Sequence, residues 1–262
     1  MSFSDAVNFK IPDGNGGFNS YPIKDIKNER TRRDISSDLA NLTTAIAEKN
    51  LKKYGYAIGD YFLGPVAHDG NKYVYTLADE NTFKGGDGYS SLIYAVIPDN
   101  HITIVVDTKQ NVKWNNSDTT TTGYNGSNLH SYMVNTVLPN VKSDLATLFG
   151  DWSSHLIKHQ KLMTTATSSW GWQADQYISA LTSVQFHGSP ICDIDFYSTG
   201  EGNKPLEVFQ KYFYAEVLGN HNTWLRSIAS ASCPCHAHYY GDAAGSSGAS
   251  NSFGAVGLII FH

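Results

Sequence analysis

Two stretches decide the fold: Asn222-Thr223-Trp224-Leu225-Arg226-Ser227, and the run Phe253-Gly254-Ala255-Val256-Gly257-Leu258-Ile259-Ile260-Phe261-His262 that closes the sequence. The closing run is short, continuously apolar, β-branched and aromatic, which predicts a buried strand. In the first stretch a strand places Trp224 and Arg226 on one face and Leu225 and Ser227 on the other. An Arg so placed needs a carboxylate or carbonyl partner, which makes Arg226 a structural anchor rather than a catalyst. Between the two strands, residues 228–252 are small and polar and include Cys233, Cys235, His236 and His238.

This order resembles the C-terminal module of phage virion proteins, of head-fibre or tail type, with a C-type-lectin-like fold: Trp224-Leu225-Arg226-Ser227, a polar loop, a terminal strand. Ile23-Lys24-Asp25 followed by Arg30 is similar to the anchor of phage fibre proteins, where an Asp and an Arg precede a short oligomerising helix. The stretch from Leu129 to Pro139 resembles the helix before the lectin-like core, and Pro205 to Phe209 with Phe213-Tyr214 fills the interval before Trp224. The family closes on a Gly-Val-Arg-Pro strand; here Gly254-Ala255-Val256-Gly257 stands in its place and the Arg-Pro pair is missing.

The resemblance covers residues 55–262. It implies an α+β fold, with an anchor arm and coiled-coil-like helix over 1–54 and a lectin-like display domain over 55–262. It implies a virion protein assembled in the host cytoplasm, binding rather than catalysing and using no cofactor. Partners would be a host cell-surface glycan or protein, other virion proteins through the arm, and copies of itself, a trimer by fibre analogy. A purely structural part contacting neighbouring capsid or tail subunits is the alternative.

Composition agrees with a loop-rich β or α+β protein. A net charge of −5 gives no electrostatic case for nucleic acid, since phosphate binding needs clustered Lys and Arg. No apolar run reaches the roughly 18 residues of a membrane span. Met1-Ser2-Phe3-Ser4-Asp5 has neither a basic nor an apolar signal-peptide region. Three cysteines are an odd number, which argues against a disulfide framework.

Residues 1–21, with Pro12, Gly14, Gly16 and Gly17, read as an extended leader, either docked on a partner or disordered. Ile35, Leu39, Leu42 and Ile46 follow a 4-3-4 spacing on an otherwise polar helix. So narrow a stripe suits a self-association seam, or else a helix packed on its own domain. Strands are expected over 56–62, 72–77 and 102–107, and a helix over 129–149 interrupted at Pro139. Residues 114–128 read as an exposed loop, and 168–172 as a loop carrying Trp170 and Trp172, either stacking on sugar or buried.

Cys233, Cys235, His236 and His238 offer four zinc-type ligands within six residues. Their spacing is too close for a tetrahedral site, so they are weak metal candidates; loop residues on a contact surface are the alternative. No Gly-x-Ser-x-Gly elbow marks a nucleophile, and Asp193 with Asp195 or Glu201 with Glu207 are carboxylate pairs of unknown separation. A metal-dependent enzyme therefore ranks last. The expected ligand contacts are His236, His238, Tyr239 and Tyr240: Tyr brings contact area at low entropic cost and small polar neighbours adapt around it.

Overall fold

The computed structural model describes residues 8–12, 18–22, 31–80, 100–159, 162–166, 169–172, 177–188, 205–219, 221–241, 243–245 and 247–262. The chain divides into two compact units, Met1–Arg32 and Arg33–His262. In the first, β1 (Asn8–Pro12) and β2 (Phe18–Pro22) form an antiparallel hairpin, so this part of the leader is strand rather than unstructured chain.

The second unit holds a mixed α/β fold around an eight-stranded sheet. Its strands are β3 (Tyr61–His68), β4 (Asn71–Glu80), β5 (Ile102–Lys113), β8 (Ser179–Ala180), β9 (Thr223–Ile228), β10 (Pro234–Ala237), β11 (Ala243–Ala244) and β12 (Ser252–Phe261). The order is β11-β10-β9-β12-β5-β4-β3, with β8 also paired to β12. Nearly every contact is antiparallel; β12 and β9 meet in parallel at Gly254 and Thr223. The closing run is thus the central strand. Gly254 to Phe261 are all buried, as expected of a strand covered on both faces.

A row of residues in register, Phe62, Tyr75, Val106 and Gly257, crosses β3, β4, β5 and β12 on one face. Helical ribbon covers that face: α2 (Asn128–Tyr132), a π-turn (Met133–Val137) and α3 (Leu138–Phe149). Ser127 starts it, its hydroxyl accepting from His130 N at 3.0 Å. Pro139 does not break the ribbon. Its ring would collide with the carbonyl four residues back, and the preceding turn widens instead, with Leu138 N donating to Met133 O. At the sheet, Phe62 stacks on Tyr75 at 4.9 Å and meets Phe149 edge-on at 6.0 Å. A Cβ at Gly257 would stand 2.7 Å from Ile178 Cδ1 and 3.5 Å from Met133 Sδ, so glycine there lets both side chains close over β12.

Several expectations are corrected. The helix with the 4-3-4 stripe is one short element, α1 (Leu42–Ala47), and Ile35, Leu42 and Ile46 are buried in the chain's own core with Leu39 packed against it. The stripe is therefore covered from within and presents no free seam. For the same reason the unit boundary falls at Arg33, not near residue 54. The segment 114–128 is exposed in part but pinned at its ends: Trp114 and Tyr124 are fully buried, and Trp114 Nε1 donates to Leu225 O at 3.1 Å. Residues 169–172 are not a loop but strand β7 (Ser169–Trp172), paired with β6 (Leu162–Ala166). Glu207–Lys211 is a helix, α5, and Tyr214–Leu218 another, α6; Ser183–His187 forms α4 between β8 and α5. Among the described residues no helix is long and apolar enough to cross a membrane.

Candidate functional site

Strand β9 supplies the frame. All six of its residues are buried, Arg226 included, so Trp224, Leu225, Arg226 and Ser227 are structural. Trp224 Nε1 donates to Val112 O at 2.8 Å, and Ser227 Oγ accepts from Ser183 N at 3.1 Å. A tight turn follows, in which Ala229 N and Ser230 N both donate to Cys233 O at 3.0 Å. The chain then returns as β10, which places Cys235 and His236 inside the protein rather than on a surface loop.

The next turn reaches solvent. Gly241 N donates to His238 O at 2.9 Å, closing a four-residue turn with Tyr239 and Tyr240 at its centre. Gly241 has φ +96°, and a Cβ there would overlap the Tyr214 ring, so glycine meets both the backbone and the space requirement. Tyr239 is 44% exposed and Tyr240 63%, two of the four exposed large hydrophobic residues among those described, with Val66 and Phe213. Their rings stand at 85° with centroids 5.1 Å apart.

A column of rings braces the turn from below. His238 stacks on Tyr240 at 4.9 Å and 6°, and meets His236 edge-on at 4.7 Å. His236 in turn packs at 4.8 Å against Phe253 and 5.8 Å from Trp224. His238 Nδ1 donates to Asn222 Oδ1 at 3.1 Å, which holds the imidazole in place under Tyr240. Of the four expected contacts, then, Tyr239 and Tyr240 are presented, His238 is half-buried support, and His236 is buried. Periodicity gives no warning of that last placement, because Pro234-Cys235-His236-Ala237 lacks both alternation and β-branching.

Beside the column lies a charged cluster that residue types in the sequence did not single out. Buried Asp107 accepts from Lys109 Nζ at 2.5 Å, and His221 Nε2 stands 3.7 Å from the same carboxylate oxygen. Burial pushes the Asp107 carboxyl up, but His221 and Lys109 together outweigh it and hold it below the ordinary value. The carboxylate raises His221 against a smaller opposing effect of burial. Gly254 makes the room: a Cβ there would overlap His221 Nδ1.

Two of the metal candidates, His236 and His238, meet ring to ring, but the four do not form a metal site. Cys235 is disulfide-bonded while Cys233 keeps a free thiol, so an odd cysteine count did not exclude a bridge. Cys192, like Asp193, Asp195 and Glu201, lies outside the described residues. Among the described residues no group of three His, Cys, Asp or Glu side chains is arranged to hold a metal ion. One carboxylate does meet both a His and a hydroxyl: Asp144, with Tyr75 Oη donating at 2.7 Å and His68 Nε2 at 3.0 Å. Burial, and then the Asp144 charge, raise the Tyr75 hydroxyl well above its ordinary range, so it stays protonated and ties α3 to the sheet.

No protein-family model matches the chain, and neither a curated protein nor a solved structure matches it.

Proposed function

We propose that this chain is a phage virion protein of fibre or decoration type whose C-terminal unit, a C-type-lectin-like display domain, binds the host surface through the Tyr239–Tyr240 turn. One observation carries the reading: two adjacent tyrosines, 44% and 63% exposed, sit at a turn braced by a ring column that runs into the core. Exposed aromatic rings on a rigid support give contact area at small entropic cost, the economy of dedicated binding surfaces. The hairpin unit at residues 8–22 would then serve as the arm to other virion proteins, with assembly as a homo-oligomer, a trimer by fibre analogy.

The test is adsorption of the purified protein to host cells. Tyr239→Ala/Tyr240→Ala, with an unchanged thermal unfolding curve, loses at least about tenfold in binding, as expected when central aromatic contacts are truncated. Unchanged adsorption removes the turn from host contact. The reading that then stands is a structural part covered by neighbouring subunits, to which Phe213, 57% exposed between α5 and α6, would contribute.

A further inference from the structure

The end of α3 carries an arrangement that the display reading does not use. Lys142 Nζ lies 4.1 Å from the centroid of Trp152 and 4.9 Å from that of Tyr177. The two rings stand at 89° with centroids 5.7 Å apart, so they form a corner with the ammonium in its angle. Gly150, at φ +86°, ends α3, and the 3₁₀ turn Trp152–Ser154 brings the indole back beside the helix. Asp144, two residues on, is taken up by Tyr75 and His68, and Asp151, next to Trp152, accepts from Ser153 N at 2.9 Å and from Ser153 Oγ at 2.8 Å. Among the described residues Lys142 makes no ion pair, and its charge lies against two aromatic faces.

A primary ammonium is a poor tenant for such a place. It is compact and strongly hydrated, and ring faces replace little of that water. A quaternary ammonium has no N–H to satisfy and carries its charge on methyl groups that pack against rings. We infer that Trp152 and Tyr177 form a binding corner for a quaternary ammonium group of choline type, with the Lys142 side chain as its resident occupant. The lysine stem is flexible and half-buried, so it can leave the corner without disturbing α3. The corner shares no residue with the Tyr239–Tyr240 turn, and either proposal can fail without the other.

The experiment follows the indole N–H resonance of Trp152 in the full chain by ¹H–¹⁵N NMR, assigned with Trp152→Phe, during titration with choline chloride. A parallel titration uses 3,3-dimethylbutan-1-ol, the uncharged isostere. Wild type is expected to show a saturable shift with choline and none with the alcohol. In Lys142→Ala, and in Lys142→Gln should the first variant unfold, choline binds about five- to tenfold tighter, because nothing need be displaced. Tyr177→Ala abolishes the shift. Two results overturn the proposal: no saturable Trp152 shift in a folded Lys142 variant, or equal binding of choline and its neutral isostere.

Discussion

At the scale of single residues, Asp107, Lys109 and His221 give the protein a pH-dependent contact beside the ring column under Tyr240. His221 lies above its ordinary value of 6.5, so its charged form stabilises the native state fully below 6.5, and that stabilisation drains away as pH rises through the higher native value. Asp107 lies below its ordinary 3.8, so its contribution is complete above 3.8 and is lost as pH falls through the lower native value. Both operate together between those two ordinary values. Replacing His221 with Gln should therefore cost on the order of 1 kcal/mol at about pH 5.5 and close to nothing at about pH 8.5. Urea midpoints of the two proteins at both pH values measure this. An equal loss at both would mean that His221 acts by packing over Gly254 and not by charge.

At the scale of elements, one buried carboxylate ties α3 to side chains of both β3 and β4. Asp144 is fully buried, and Gly64 on β3 leaves it room, since a Cβ there would overlap the carboxylate. Asp144→Ala strands the Tyr75 hydroxyl and the His68 imidazole, and should cost about 2–4 kcal/mol. Ser143→Ala, exposed one residue away on the same helix, should stay within about 0.5 kcal/mol. Comparable losses in urea unfolding for the two would deny that the carboxylate is the tie. What the sequence reveals of these elements follows from whether a signal is local. Runs rich in β-branched and aromatic residues announce β4, β5 and β12, and apolar spacing announces the ribbon from Leu129 to Phe149. The four-residue β10 is strand only because β9 and β11 flank it, so His236 reads as loop until the sheet exists. Asp107 and His221 lie 114 positions apart, and Lys142 on α3 is 35 positions from Tyr177, which precedes β8; no spacing rule joins either pair.

At the scale of the whole molecule, the 4-3-4 stripe, packed on its own domain, locates the edge of the folding unit. A 4-3-4 apolar spacing states that something covers a helix face and is silent about what. Here the cover is the chain's own core, which takes in Ile35, Leu42, Ala45, Ile46 and Leu51. Arg33 and Asp34 also run beside the start of β3, with Ile35 N donating to Tyr61 O at 2.8 Å and Tyr61 N to Arg33 O at 2.9 Å. A chain beginning at Gly55 removes five buried apolar side chains and uncovers an edge strand, and each of the four Ile and Leu among them is worth about 1.5–3 kcal/mol. That sum is comparable to the whole stability of an ordinary domain, so the Gly55 chain should be unfolded or aggregated by circular dichroism and light scattering. A chain beginning at Arg33 keeps every one of those contacts and should melt cooperatively at the full chain's temperature. Its mass in solution then decides where self-association resides. A folded monomer beside an oligomeric full chain assigns assembly to residues 1–32, as the arm-and-display reading requires. An oligomer from Arg33 onward assigns it to the second unit, whose exposed Phe213 then becomes the first position to substitute.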